Sequence, residues 1–151
     1  MATKPTFDVF NTAFAEKVVG KVGKRGVDAY LGIRVTELTA GRLVAEFEAR
    51  DELITMIGNM HGGCLSSFVD HCLGVVMYPV MPDGYWAATT EFKINLLRPV
   101  SGGVCRATAE IVSMGRSLAV VTIEVENLVD DKPPRLVALA QGTCTIVAPR
   151  S

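Results

Sequence analysis

The segment from His61 to Met81 constrains the fold of this chain more than any other, because Asp70 is its only Asp, Glu, Lys or Arg. Helical spacing gathers its large apolar residues on one stripe and its small residues on the opposite face. The stripe comprises Leu65, Phe68, Val69, Cys72, Leu73 and Val76, and the small face comprises Gly63, Ser66, Ser67, Asp70 and Gly74. A surface helix needs a charged face, so the sequence predicts a central helix whose small face packs closely against another surface rather than against water.

Asp70 is the first candidate for chemistry on this helix. A carboxylate in such uncharged surroundings is seldom left buried without a partner or a task. The competing interpretation is structural, in which Asp70 caps or pairs at an interface.

Length and composition predict one globular domain. With 151 residues, of which 49% are hydrophobic, the chain can bury one hydrophobic core. It is too short for two domains of ordinary size. Its 15 Lys and Arg stand against 16 Asp and Glu, which gives a formal net charge of -1. A nucleic-acid surface normally shows a basic excess, so no nucleic-acid partner is expected.

Cysteine usage and the apolar runs predict a soluble, cytoplasmic protein. The cysteines lack Cys-x-x-Cys spacing and sit in apolar segments, where they behave as small hydrophobic residues of a reducing compartment. They are Cys64, Cys72, Cys105 and Cys144. The chain start lacks the pattern of a signal peptide, and no run of about 18 apolar residues offers a bilayer span, so no membrane partner is expected.

Residues 1–28 are predicted to form a helical extension ahead of a main domain over residues 29–151. From about Thr6 to Lys24 apolar side chains recur at helical intervals, and lysines cluster toward the end, where they suit the helix dipole. We expect this helix to pack on its own domain. An amphipathic membrane anchor is the alternative, although anchors usually carry a denser basic face.

After Gly32 the hydrophobic period becomes that of strands. Gly32–Leu38 and a strand over Arg42–Ala49 are predicted to form a hairpin, and the central helix is expected over Gly62–Tyr78. Four further strands are predicted at Trp86–Leu97, Val104–Met114, Leu118–Leu128 and Leu136–Val147. Short turns favour an antiparallel meander, so we predict an α+β fold in which the central helix lies against the concave face of one six-stranded antiparallel sheet.

One motif resembles a known family. Gly58-x-x-His61-Gly62-Gly63 is followed by Asp70 nine residues after the histidine, and Leu97-Arg98-Pro99 ends the next strand. Over about Gly32–Val147 the chain resembles the hotdog-fold thioesterases of the phenylacetate-degradation and human thioesterase-superfamily-member-2 type. The resemblance implies a sheet wrapped around one helix, a homodimer that is often paired into a tetramer, and an acyl-coenzyme A (acyl-CoA) thioester as substrate. It implies no cofactor beyond the CoA of the substrate.

The residues at the helix start suit thioester hydrolysis. Hydrolysis builds negative charge on the carbonyl oxygen, and free backbone amides at a helix start are fixed donors for that charge. Gly62 and Gly63 leave room for a substrate to reach them, and Asp70 is expected to act as general base or as nucleophile. Asp70 lies roughly 10 Å from Gly63 along one helix, so the site is expected to be shared between two chains.

The resemblance also assigns supporting residues. His61 matches the histidine that borders the oxyanion site, where it positions the thioester or holds the turn by a hydrogen bond. Thr55 stands where relatives commonly carry Asn, so either Thr55 or Asn59 supplies that polar contact, and Thr89 stands where some relatives place a serine that orients water. Ser67 on the small face is counted with the substrate-binding residues. The candidates for the CoA phosphates are Arg98, Arg116 and Lys132.

Several rival functions remain open at this point. A hotdog dehydratase or hydratase would pair His61 or His71 with a carboxylate, and an acyl-CoA-binding protein would keep the cleft without hydrolysis. A Cys64 nucleophile activated by His61 lacks a third orienting group. A metal site is disfavoured because its four candidate ligands face different sides of the helix. Those ligands are His61, Cys64, His71 and Cys72. The identity of the acyl chain and the choice between dimer and tetramer are not written in the sequence.

Overall fold

The computed structural model describes residues 4–150, which form one six-stranded antiparallel sheet and one long helix. The helices are α1 (Thr12–Val18), α2 (Gly26–Leu31) and α3 (Gly62–Val75). The strands are β1 (Arg34–Thr39), β2 (Arg42–Glu48), β3 (Trp86–Leu96), β4 (Val104–Met114), β5 (Leu118–Leu128) and β6 (Arg135–Val147). Every strand pair is antiparallel, so the predicted α+β fold is confirmed.

The strand order differs from the predicted meander. The sheet runs β1-β2-β4-β5-β6-β3, so β3 pairs with β6 at the far edge and β4 lies between β2 and β5. The reason lies in α3, which carries the chain across the sheet from the side of β2. The strand that follows α3 therefore begins at the opposite edge, and the next connection must return across the sheet before β4 starts. The outer edge of β3 is left without a strand neighbour among residues 4–150.

The apolar stripe of α3 forms the centre of the core, as predicted. Its six residues are at most 4% exposed, and the Phe68 ring meets the Phe47 ring of β2 edge-to-face with centroids 4.8 Å apart. The helix ends at Val75 rather than at the predicted Tyr78, and a short 3-10 helix over Tyr78–Val80 follows it. By length and composition alone the window Gly62–Val80 is apolar enough to cross a membrane, and half of that window is buried inside the protein.

The N-terminal segment is not the continuous helix that Thr6–Lys24 predicted. Helix α1 begins after Asn11, whose side-chain oxygen accepts a hydrogen bond from the Phe14 amide at 2.9 Å, and it ends at Val18. Gly20 then takes a φ of 77°, a left-handed conformation that a helix cannot contain. The prediction counted apolar spacing and gave too little weight to this glycine.

The N-terminal segment nevertheless packs on its own domain. The Phe14 ring stacks on Tyr78 with centroids 5.4 Å apart, and the Asn11 amide donates to the Pro79 carbonyl at 2.7 Å. Between α1 and α2 the chain forms isolated bridges to β1. These contacts favour the packed interpretation of this segment over a membrane anchor.

Candidate active site

A cavity of about 230 Å³ opens at the start of α3. One wall is the loop that precedes the helix, and the other is the end of β3 with the connection that follows it. The lining residues are Asn59, Met60, Gly62, Leu65, Leu96, Leu97, Arg98, Pro99 and Val100. The Met60 amide donates to the Val100 carbonyl at 2.7 Å, which fixes the two walls to each other. We call this space the entrance cavity.

The Gly62 amide is the free hydrogen-bond donor of this cavity. His61 caps the helix, because its Nδ1 accepts from the Gly63 amide at 2.9 Å and its carbonyl accepts from the Cys64 amide at 3.0 Å. Within residues 4–150 the Gly62 amide has no acceptor. Of the two glycines predicted to donate, Gly62 is therefore available and Gly63 is engaged by His61. The contact corresponds to the predicted role of His61 in holding the turn.

Both glycines lie close to a neighbouring side chain. A Cβ atom at Gly62 would lie 2.5 Å from Leu96 Cδ1, and a Cβ at Gly63 would lie 2.9 Å from His61 Nδ1. Because residue 62 has no side chain, the Leu96 side chain lies directly against the helix start. The same absence leaves the backbone amide open to the cavity.

Asp70 lies away from the entrance cavity of its own chain. At 1.5 Å per residue it is about 12 Å further along the helix axis than Gly62. Its side chain is exposed, and the rest of the small face is only half-buried. The prediction that this face avoids water is therefore met only in part within one chain, because the sheet covers the apolar stripe and residues 4–150 cover the opposite side incompletely.

Strands β3 and β6 bring polar atoms toward Asp70. Cys144 of β6 pairs with Thr89 of β3, and its Sγ donates to the Leu73 carbonyl at 3.4 Å. Burial raises the pKa of the Cys144 thiol, the neighbouring Thr89 hydroxyl lowers it, and the charge of Asp70 raises it. Thr89 thus lies on the same side of the domain as Asp70, beside the register shift between Thr89 and Glu91.

Thr55 and Asn59, the two residues predicted to replace the polar contact of the asparagine in relatives, have different positions in the loop before α3. The Thr55 hydroxyl and the Thr55 amide both donate to the Asn59 carbonyl, at 2.8 and 2.9 Å. Thr55 therefore closes the loop, whereas Asn59 lines the entrance cavity. At the tip of this loop Met56 and Ile57 are 102% and 80% exposed.

The candidate phosphate-binding residues do not converge within one chain. Arg98 lines the entrance cavity and donates to the Leu136 carbonyl at 2.7 Å. Arg116 is exposed in the turn between β4 and β5, near the opposite end of the sheet. Lys132 lines a separate cavity of about 350 Å³ together with Arg135. Arg135, which donates to the Pro99 carbonyl at 2.7 Å, was not among the predicted residues, although it closely follows Lys132 in the sequence.

His71 and Ser67 lie beside Asp70 on α3 and are half-buried. Burial lowers the pKa of His71, while the carboxylates of Asp28 and Asp70 raise it. His71 also lines a third cavity, between α3 and the N-terminal segment.

The four cysteines are free thiols. Burial raises the pKa of each, to about 12 for Cys105, and for Cys64 the nearby charge of Arg50 opposes that rise. A nucleophilic cysteine needs the opposite shift. Since His61 Nδ1 is also engaged by the Gly63 amide, the structure disfavours Cys64 as a nucleophile. Among residues 4–150 no group of three or more His, Cys, Asp or Glu side chains could hold a metal ion.

The sheet wrapped around one apolar helix, with a free amide at the helix entrance, defines a hotdog-type thioesterase domain. The family description Thioesterase superfamily matches residues 57–133, which include the helix entrance, Asp70 and strands β3 to β5. The chain therefore belongs to the thioesterase superfamily and is a hydrolase of that type.

Individual proteins agree with this assignment. A Saccharolobus solfataricus protein named as a candidate esterase is 31% identical over 98 residues, which are 65% of this chain and 69% of that protein. The 1,4-dihydroxy-2-naphthoyl-CoA hydrolase of Listeria monocytogenes is 23% identical over 121 residues, which are 80% of this chain and 94% of that protein.

Two solved structures are similar along most of the chain. A thioesterase family protein from Silicibacter pomeroyi has a TM-score of 0.78 at 29% identity, over 83% of this chain and 91% of that one. A phenylacetic acid degradation-related protein from Ralstonia eutropha JMP134 has a TM-score of 0.74 at 27% identity, over 87% of this chain and 98% of that one. The second is of the type that the sequence motif resembles.

Proposed function

We propose that the protein hydrolyses an acyl-CoA thioester to a free acid and CoA at a site shared by two copies of the chain. The Gly62 amide of one copy holds the carbonyl oxygen, and Asp70 of the partner subunit drives the attack. The observation that carries this proposal is the free Gly62 amide at the entrance cavity. An unpaired amide at the positive end of a helix is a donor for the charge that develops on a thioester oxygen.

The need for a second copy follows from distance and from the open sheet edge. Gly62 and Asp70 are separated by about 12 Å along one rigid helix, too far to act on the same carbonyl group. Strand β3 ends the sheet with its outer edge unpaired, and an exposed strand edge is a template for pairing with another chain. A dimer formed through β3 covers this edge.

Antiparallel pairing of two β3 strands also brings the two halves of the site together. Gly62 contacts β3 at Leu96, whereas Asp70 lies on the side of Thr89 and Cys144. In a two-fold dimer whose register sets Leu96 opposite Thr89 of the partner subunit, each helix entrance faces Asp70 of the partner subunit. The same pairing moves Arg116 of the partner subunit toward the entrance cavity, where it is available to the CoA phosphates. We propose the same dimer as the unit of any tetramer.

The chemistry follows from these positions. Asp70 either takes a proton from a water molecule that attacks the carbonyl carbon or attacks that carbon itself to form a mixed anhydride, which water then hydrolyses. In both routes the C–S bond breaks and CoA leaves as the thiol after taking up a proton. Single-turnover hydrolysis in ¹⁸O-labelled water distinguishes the routes, because only the anhydride route can leave ¹⁸O in Asp70.

CoA is the proposed carrier because the Listeria monocytogenes relative is named as a CoA hydrolase, and because Arg98 lies at the entrance cavity as a cation for a phosphate. No cofactor is required in this scheme, since CoA is part of the substrate. We place the protein in the cytoplasm, where acyl-CoA thioesters are formed and consumed.

The test is release of free thiol from a panel of acyl-CoA thioesters. Asp70→Asn is expected to lower kcat by about 10²–10⁴-fold, the contribution of general acid–base catalysis, while folding persists because the side chain is exposed in the single chain. Size-exclusion chromatography checks that the variant keeps the wild-type oligomeric state. Asp8→Asn, another exposed aspartate, is the matched control and should retain wild-type turnover. Wild-type turnover in Asp70→Asn would remove Asp70 from the mechanism. Loss of water from a 3-hydroxyacyl-CoA to give an enoyl thioester, without thiol release, would instead favour a dehydratase.

Mixing two inactive variants tests whether the site is shared. Gly62→Pro removes the amide hydrogen and Asp70→Asn removes the carboxylate, so a mixed dimer retains one site with both groups intact. Random reassociation of equal amounts then restores about a quarter of wild-type activity, because half of the dimers are mixed and each has one of two sites. A site contained within a single chain would gain nothing from mixing.

A further inference from the structure

We propose that the cavity between α3 and the N-terminal segment receives the acyl group of the substrate, whose thioester lies at Asp70. This inference rests on the proposed function and adds the part of the site that selects the acyl chain. The cavity has a volume of about 270 Å³, and we call it the N-terminal cavity. It lies between α1, the α1–α2 linker, β1 and the last turn of α3.

A continuous helix face leads from Asp70 to this cavity. Ser67, His71, Gly74 and Tyr78 are spaced by four, three and four residues, so they lie on one side of the helix next to Asp70. After α3 ends, Val76 and Met77 keep right-handed helical backbone angles, which carries this face on to Tyr78.

Within one chain this face has free space at Gly74. A Cβ atom built on Gly74 meets nothing within 4 Å, and Ser67 is the other small side chain on the path. His71 and Tyr78 both line the N-terminal cavity, so the path ends there. A chain attached to a carbonyl carbon at Asp70 can therefore pass over Gly74 into the cavity without displacing a side chain.

The interior of the cavity suits an apolar group. Val18, Ile33, Val35 and Val75 supply aliphatic surface. Phe14 and Tyr78 supply a stacked aromatic pair with an interplanar angle of 20°. Burying an alkyl chain or an aromatic ring there removes apolar surface of both the acyl group and the cavity wall from water.

Charge at the cavity mouth excludes a cationic acyl group. Lys17, Lys21 and Lys24 line the mouth against the single carboxylate of Asp28. Their aliphatic stems can extend the apolar wall while the ammonium groups stay in water. A volume near the lower end of small-ligand pockets favours a short alkyl or single-ring acyl group over a long fatty chain.

The decisive measurement is selectivity between acyl groups. Val75→Phe fills the cavity from α3, and Phe14→Ala enlarges it from α1. We compare kcat/KM for acetyl-, butyryl-, hexanoyl-, octanoyl- and phenylacetyl-CoA by thiol release. Val75→Phe should shift the ratio toward the shortest acyl group that the wild type uses by at least about tenfold, the discrimination expected for one methylene in an apolar pocket. Phe14→Ala should shift the ratio the other way.

Val120→Phe is the matched control, because Val120 is also half-buried but lies in β5 and does not line this cavity. It should keep the wild-type ratios. Equal effects on all acyl groups, or no effect, in both cavity variants would overturn the proposal even if the wild type is an active thioesterase. If Val75→Phe does not fold, Phe14→Ala and Val75→Ala decide the question by the direction of their shift. A wild-type protein inactive on every acyl-CoA would instead refute the proposed function, and this inference with it.

Discussion

Replacing Gly62 by proline removes the free amide hydrogen from the proposed site. The structure indicates that the fold will accept this change. Gly62 is the first residue of α3, where proline is favoured because the amide there has no partner within the helix. Gly62 is not among the glycines with positive φ, and His61 before it has a ψ of 133°, as a residue preceding proline requires. No hydrogen bond among residues 4–150 is lost.

The size of the expected effect separates catalysis from stability. One oxyanion donor contributes about 10²–10³ in kcat, or about 2.7–4 kcal/mol. Proline at a compatible position changes the free energy of unfolding by only about 0.4–1 kcal/mol in favour of the folded state. The new Cβ would lie 2.5 Å from Leu96 Cδ1, but Leu96 is 53% exposed, so the end of its side chain can move outward.

Gly62→Ala is the matched variant, because it adds the same Cβ and keeps the amide hydrogen. The ratio of kcat between Gly62→Ala and Gly62→Pro therefore measures the donor alone, and we expect it to be about 10²–10³. Thiol release gives kcat, and urea unfolding checks that both variants are folded. Equal kcat values in two folded variants would show that the Gly62 amide does not hold the oxyanion.

Three further predictions concern local features. His61→Ala leaves the Gly63 amide without its cap, so urea unfolding should show a loss of about 0.5–2 kcal/mol. Burial holds the pKa of His71 below 6.5 in the folded protein, so as the pH falls His71 is protonated first in the unfolded chain. The free energy of unfolding should therefore decrease as the pH falls from 6.5 to the folded pKa. Unfolding curves measured between pH 5 and 7.5 should show this decrease in the wild type and not in His71→Gln. Burial raises the pKa of all four thiols in the folded protein. A disulfide reagent should therefore react slowly with the native protein and rapidly with all four thiols after unfolding. A fast reaction of the folded protein would contradict this prediction.

Local patterns made most of the elements predictable. The bounds of β4 and β5 agree with the prediction, because the period-two alternation of each is interrupted by a clear turn. The apolar stripe of α3 is likewise a property of one segment. In the N-terminal segment the sequence carried the correct signal in Gly20, but apolar spacing was given more weight than the glycine.

The strand order and several site contacts depend on residues far apart in the chain. The path of α3 over the sheet sets the position of β3 beside β6. The residue pattern of β3 alone does not indicate this path. Thr55 closes the loop before α3, and Arg135 lies beside Lys132 at the same cavity. Both contacts depend on backbone positions that the spacing of residues in the sequence does not fix. By contrast, the candidate residues on α3 could be assigned early, because helix geometry fixes their relative positions.

The proposed dimer accounts for the open edge of β3 and the half-buried small face of α3 by one interface rather than two. Leu96 meets the helix start at Gly62, and Cys144, which pairs with Thr89, donates to the Leu73 carbonyl, so α3 is fixed to the strands at this edge of the sheet. A partner that adds a strand to β3 must therefore also approach the small face. A larger residue at Gly74 would meet no atom of its own chain within 4 Å, but it would hold a partner away from this face. In the proposed dimer the partner subunit's helix approaches these small residues and brings the second half of the active site.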